Sequence, residues 1–152
     1  MTTVSTTRQI AAPLARVFEI LSNAEVFSEA VPQILNVEFL SEQKRGVGTR
    51  FRETRDMNGK EVQTELEITE LVENDRIRMV SDQGGTIWDT LFTVEDAGEY
   101  TVMTMTMDCR PYRLLARLLN LVIMGMVRKA VESDMDAVKA YCEGTSGSTV
   151  TA

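Results

Sequence analysis

The spacing of hydrophobic and polar positions changes period along the chain. From Thr3 to Ala11 the segment is rich in Thr and Val, the composition of a strand. After Pro13, the residues Leu14, Val17, Phe18 and Leu21 recur at helical spacing and predict a helix over Leu14–Leu21. Ser22-Asn23 interrupts it, and Asn23 is placed to cap a second short helix, Ala24–Val31, that Pro32 stops. Strand-like runs follow at about Ile34–Leu40, Thr49–Met57, Lys60–Leu71, Arg76–Ser81, Thr86–Val94 and Tyr100–Cys109, most of them separated by Gly or Asn/Asp. After Pro111 the period turns helical and stays so to about Cys142, a helix of about 45 Å. A helix that long needs a sheet to lie across, and strands with no helix between them pair as an antiparallel meander. The order of strand, two short helices, six strands and long helix predicts an α+β fold. Residues 1–143 form a single domain, and the low-complexity stretch 144–152 is expected to be a flexible tail.

Turn chemistry sets the strand registers. Asn58-Gly59 between alternating runs predicts a two-residue hairpin. It places Phe51 opposite Leu66, Glu53 opposite Thr64 and Arg55 opposite Val62 on one face. On the other face Arg50 meets Glu67 and Arg52 meets Glu65, both pairs of opposite charge. A turn centred on Gln83-Gly84 predicts Met79 opposite Trp88, Ser81 opposite Thr86, Ile77 opposite Thr90 and Arg78 opposite Asp89. A turn at Ala97-Gly98 predicts Trp88 opposite Met107, Thr90 opposite Met105 and Phe92 opposite Met103. The connection between Leu71 and Arg76 is the irregular one, where a bulge is expected. The inner face is then lined by Met79, Trp88, Phe92, Met103, Met105 and Met107, with Thr and Ser among them. Such a face suits a solid sheet-on-helix core. It also suits a cavity for varied apolar ligands, since polar groups set among apolar ones mark a pocket.

Composition narrows the chemistry. In 152 residues there are 16 Lys+Arg and 23 Asp+Glu, a net charge of −7, and no histidine. An acidic chain of this size is not a general nucleic-acid binder. Without histidine there is no His-based acid–base or nucleophile pair and no His-containing zinc site. The two cysteines, Cys109 and Cys142, lie near opposite ends of the long helix, so no disulfide is expected, and no metal or cofactor is expected either. The first residues have neither a basic nor an apolar signal region, and the most apolar run, Leu114–Val127, is too short and carries Arg117 and Asn120, so no signal peptide, no transmembrane segment and a cytoplasmic location are expected.

Several features together resemble the START / Bet v 1-like (SRPBCC) superfamily of polyketide cyclase/dehydrase and lipid-transport type, over about residues 3–142. They are Ile10-Ala11-Ala12-Pro13-Leu14-Ala15-Arg16-Val17-Phe18, the short helix pair followed by Pro32, Gly46-Val47-Gly48-Thr49, and the long last helix. Phe27 stands between the short helices where the family often has Trp. The resemblance implies the helix-grip fold: a curved seven-stranded antiparallel sheet wrapped around the C-terminal helix, enclosing a hydrophobic cavity. It also implies a hydrophobic small-molecule ligand, such as a lipid, sterol, polyketide or quinone-like compound. It implies as well that the apolar half of the helix forms the cavity mouth, with Leu118 and Val122 facing the ligand.

Glu53 and Arg55 are the sharpest candidates, because the register turns both inward, where a charge is costly unless paired. With Thr64 they are expected to form a polar patch in a cavity walled by Phe51, Leu66, Met79, Trp88, Thr90, Phe92, Met103, Met105 and Met107. A cyclase or aromatase would need a proton donor or acceptor in a dry pocket, and the candidates are Glu53, Arg55 and Tyr112. Arg55 beside Glu53 would lower the carboxyl pKa that such a donor needs raised. Asp89 and Asp108 as paired carboxylates are less suited, since the register puts Asp89 outside and Asp108 opposite Ile87. Gly46-Val47-Gly48-Thr49 is a turn, with no helix after it to hold a phosphate. Lys44 and Arg45 read as solvated loop charges. The balance favours a non-catalytic binder or carrier. The long helix is apolar almost all round from Leu114 to Val127, so a protein-interaction role, a homodimer and transient membrane contact through that face stay open.

Overall fold

A computed structural model describes residues 2–151, with side chains described for residues 2–144. Its elements are β1 (Thr2–Ile10), α1 (Leu14–Ser22), α2 (Ala24–Ala30), β2 (Ile34–Phe39), β3 (Arg50–Met57), β4 (Lys60–Val72), β5 (Arg76–Gln83), β6 (Thr86–Asp96), β7 (Thr101–Pro111) and α3 (Leu114–Thr151). The expected flexible tail at 144–152 falls, apart from Gly144, outside the residues whose side chains are described. Strict alternation makes the strands: in β4, Val62, Thr64, Leu66 and Ile68 turn inward between exposed Gln63, Glu65 and Glu67. Asn23 caps α2 as expected, its Oδ1 accepting the backbone N–H groups of Glu25 (3.1 Å) and Val26 (3.3 Å).

The seven strands form one antiparallel sheet in the order β1-β7-β6-β5-β4-β3-β2, curved around α3 in the helix-grip arrangement. The Asn58-Gly59 hairpin has the expected register, Phe51 opposite Leu66, Glu53 opposite Thr64 and Arg55 opposite Val62. Both turn residues have positive φ, 57° and 88°, as a type I′ turn requires. On the outer face Arg52 bridges Glu65 and Glu38, and Arg50 meets Glu65 rather than Glu67, which stands directly opposite it.

Two registers differ from expectation, each by an even step. Met79 faces Thr90, Ser81 faces Trp88 and Ile77 faces Phe92, because the turn is Gly84-Gly85 and not Gln83-Gly84. Gly84 and Gly85 take φ of 62° and 82° without a Cβ penalty, a conformation Gln83 would resist. Arg78 stands opposite Leu91, yet it still reaches Asp89 diagonally at 2.8 Å. Between β6 and β7 the connection is the four-residue loop 97–100, closed by an Ala97 N–H to Tyr100 C=O bond of 2.8 Å. Trp88 therefore faces Cys109, Thr90 faces Met107 and Phe92 faces Met105. Because the steps are even, every side chain keeps its face. The bulge lies inside β4, between Ile68 and Glu70, ahead of the Leu71–Arg76 connection.

The buried apolar residues form one cluster. At one end α1 buries Val17, Phe18, Ile20 and Leu21 against the sheet, with Ile10, Ile77, Val94 and Met103. Along its carboxy-terminal half α3 buries Val131, Met135, Val138 and Cys142. A row of polar tethers ties α3 to β1 and its end: Asn120 Nδ2 to Thr2 Oγ1 (2.9 Å), Arg8 to Asp136 (2.6 Å), Lys139 to the Gln9 carbonyl (2.6 Å) and Glu143 to the Ala11 N–H (2.9 Å). The tethers fix the rotation of α3 about its axis, and with it the face that meets the sheet.

Candidate functional site

Between the concave face and α3 lies a cavity of about 810 Å³. The sheet contributes Phe51, Glu53, Arg55, Thr64, Leu66, Met79, Trp88, Thr90, Phe92, Met105 and Met107 to its wall. Three expected residues lie elsewhere. Met103 points inward but is fully buried in the solid core, because α1 lies against β6 and β7 at that end. Leu118 and Val122 are 70% and 71% exposed, on the side of α3 roughly opposite Asn120 and Ala116. The helix presents Ala116, Leu119, Ile123 and Val127 to the cavity instead.

The polar patch is larger than the sequence suggested. Arg55 Nε donates to Glu53 Oε1 at 3.0 Å, and Arg55 Nη1 donates to both oxygens of Asp134 at 2.8 and 3.0 Å. All three side chains are more than four-fifths buried and all three line the cavity. Asp134 comes from α3 and joins the other two only through the fold. A signal for it exists in the sequence: its helical neighbours Val127, Ala130, Val131, Val138 and Tyr141 are apolar, so an acid stands on the inward stripe. Burial pushes the Glu53 and Asp134 carboxyls above the usual carboxylate range, and Arg55 pulls both back only in part. The conflict expected at Glu53 is thus decided in favour of burial. Arg55, facing both acids, holds its proton more tightly than an isolated guanidinium.

Other polar groups complete the wall. Thr64 stands opposite Glu53. Ser81 is buried, lines the cavity and has an Oγ with no hydrogen-bond partner. The ladder between β4 and β5 runs from Val72–Arg76 to Glu67–Val80, and beyond it the Gln83 side chain bridges to the Gln63 carbonyl at 2.7 Å. The strands part at that end, where Lys60, Gly84, Arg113, Leu119 and Met126 edge the cavity.

The remaining candidates fall outside it. Tyr112 is exposed and its hydroxyl donates to Asp82 at 2.8 Å. Asp108 stands opposite Asp89, not Ile87, because of the register step; Asp89 is held by Arg78 and Arg110, and Asp108 accepts from Thr3. Arg45 is no free loop charge: it grips Glu19 of α1 through both terminal nitrogens, at 3.0 and 2.8 Å. In the Gly46–Thr49 loop Gly48 N–H bonds to the Ile68 carbonyl at 2.9 Å, as a turn beside a sheet edge does.

Comparison with known proteins agrees with this architecture. The family described as polyketide cyclase / dehydrase and lipid transport matches residues 1–143. No curated protein shows significant sequence similarity to the chain. Among solved structures, a protein from Thermus thermophilus superposes with a TM-score of 0.78 at 22% identity, covering 95% of this chain and 99% of that one. A START superfamily protein from Mycobacterium smegmatis gives 0.78 at 17% identity, covering 94% and 98%. Ara h 8.0201 gives 0.73 at 17% identity, covering 94% and 98%. At these identities the likeness is one of fold.

Proposed function

The chain belongs to the polyketide cyclase/dehydrase and lipid transport family, and from that premise we propose that it binds and carries a hydrophobic small molecule in the cavity between sheet and α3. The observation that carries this reading is the cavity itself. Its volume of about 810 Å³ is in the range of small-molecule sites, and its wall is mostly apolar, with the Glu53–Arg55–Asp134 group, Ser22, Ser81, Gln83 and scattered Thr set into it and Lys60 and Arg113 at its edge. Apolar walls supply affinity through burial, and the few polar groups orient a ligand's polar end.

Trp88 is the only tryptophan and lines the cavity, so it reports occupancy. Titration with a fatty acid, a sterol, an aromatic polyketide and a quinone should change its emission saturably for at least one class. Native mass spectrometry should find that ligand at one per chain. No saturable change with any class, and no copurifying mass, would overturn the reading.

The raised carboxyl of Glu53 favours a second reading, a cyclase-type enzyme in which Glu53 donates a proton to a chain held by the apolar wall. A Glu53→Gln variant separates the two. Binding kept and turnover of an aromatic polyketide precursor abolished supports the enzyme; turnover unchanged, or absent from the wild type, removes it.

A further inference from the structure

The amino-terminal half of α3 leaves a large apolar surface uncovered. Leu114, Leu118, Leu121 and Val122 are 73%, 70%, 88% and 71% exposed. No helix among the described residues is long and apolar enough to cross a membrane, so this half could at most lie along one. Its charge is as one-sided as its hydropathy. From Cys109 to Val131 there is no Asp or Glu, while Arg110, Arg113, Arg117, Arg128 and Lys129 all fall there, in a chain whose net charge is −7. Asp89 engages Arg110, and the other four are exposed. At 3.6 residues per turn Arg117 and Arg128 share one border of the apolar face, about three turns apart, and Lys129 stands at its far end. Leucines flanked by arginines, with no acid among them, match a surface that is apolar below and negative above.

We propose that the amino-terminal half of α3 is a docking surface for an anionic lipid bilayer, its leucines entering the headgroup boundary and Arg113, Arg117, Arg128 and Lys129 meeting the lipid phosphates. A second copy of this chain fits the face less well, because it would bring the same positive charges and no acid on this segment to answer them. The patch also runs into the cavity mouth through Leu119 and Met126, which are both exposed and cavity-lining. A docked molecule therefore turns its mouth toward the hydrocarbon. That orientation serves the carrier reading above, but the docking does not depend on it.

The test is flotation of the full chain with phosphatidylcholine vesicles, with and without phosphatidylglycerol, at low and high salt. The variants are Leu118→Asp with Leu121→Asp, and Arg117→Gln with Arg128→Gln. These side chains are exposed and lie outside the cavity wall, so Trp88 emission and circular dichroism should stay as in the wild type. Binding should require phosphatidylglycerol, weaken with salt, vanish in the aspartate variant and fall about thirtyfold in the glutamine variant, on the general worth of two basic residues at an anionic surface. Equal binding to neutral vesicles, or none to either, overturns the proposal. So does a concentration-dependent dimer in sedimentation that the aspartate variant dissolves while vesicles are ignored; that outcome assigns the face to a second copy. Flotation that fails while Trp88 still reports a ligand removes the docking surface and leaves the cavity reading standing. Flotation that succeeds without a ligand response does the reverse.

Discussion

Replacing Arg55 with methionine tests the reasoning about the cavity most directly. The change keeps the bulk of the side chain but removes three charge-assisted contacts, one to Glu53 at 3.0 Å and two to Asp134 at 2.8 and 3.0 Å. Both carboxylates then stand buried without their counter-charge. Removing one member of a buried ion pair costs about 3–5 kcal/mol, a large share of the roughly 5–15 kcal/mol that stabilises a domain. The pH dependence has a definite sign. Glu53 and Asp134 already have raised pKa values in the folded protein. A carboxyl raised on folding contributes stability that is present below its unfolded pKa of about 4 and lost as pH rises through the folded value. Without Arg55 both values rise further. The deficit of the variant should therefore be full at neutral pH and shrink as pH falls below the ordinary carboxylate range, where both groups are neutral in either state. Urea unfolding followed by Trp88 fluorescence at a series of pH values measures this. Adding Glu53→Gln and Asp134→Asn to Arg55→Met should restore most of the loss at neutral pH, since neutral amides need no counter-charge. A deficit below about 1 kcal/mol, or one that grows toward acid pH, would refute the account of a mutually dependent buried triad.

Three further outcomes follow from particular contacts. Ser81→Ala removes a buried hydroxyl without a partner, so stability in urea should be unchanged or higher by up to about 1 kcal/mol; a clear loss would mean the hydroxyl is satisfied. In Gly85→Ala the new Cβ would meet Arg113 side-chain carbons at 2.7–2.8 Å, at a φ of +82°, and the melting temperature should fall by an amount worth about 1–2 kcal/mol or more. The same change at Gly59, with open space around it, should cost only the backbone part of that. Burial pushes the Cys142 thiol up to about 11 and raises that of Cys109, and both side chains are buried, so alkylation at pH 8 should be slow for both until the protein is unfolded; rapid labelling of either in the native state would contradict its placement.

The parts legible in the sequence are those set by local rules. Side-chain alternation assigned Phe51, Glu53, Arg55, Met79, Trp88 and Met105 to the concave face, and that assignment survived two registers that differ from expectation, because each differs by an even step. The Asn-Gly turn and the Asn23 cap were legible for the same reason: each is settled by the residues that make it. Tertiary structure decided the rest. Tyr112 and Arg113, far along the chain, hold the β5–β6 turn by donating their N–H groups to the Gly85 carbonyl. The tethers of α3 to β1 set the rotation that turns Leu118 and Val122 outward and Asp134 inward. Arg55 and Asp134 are 79 residues apart in sequence, and no local pattern pairs them. By itself, then, the sequence determined the order of elements and the face of each strand residue, since backbone geometry repeats every two residues in a strand whatever lies around it. Only the tertiary structure decided which side of the long helix meets the cavity. That choice depends on where the helix is tied along a sheet edge more than a hundred residues away in sequence, and it makes one arginine the partner of two buried acids.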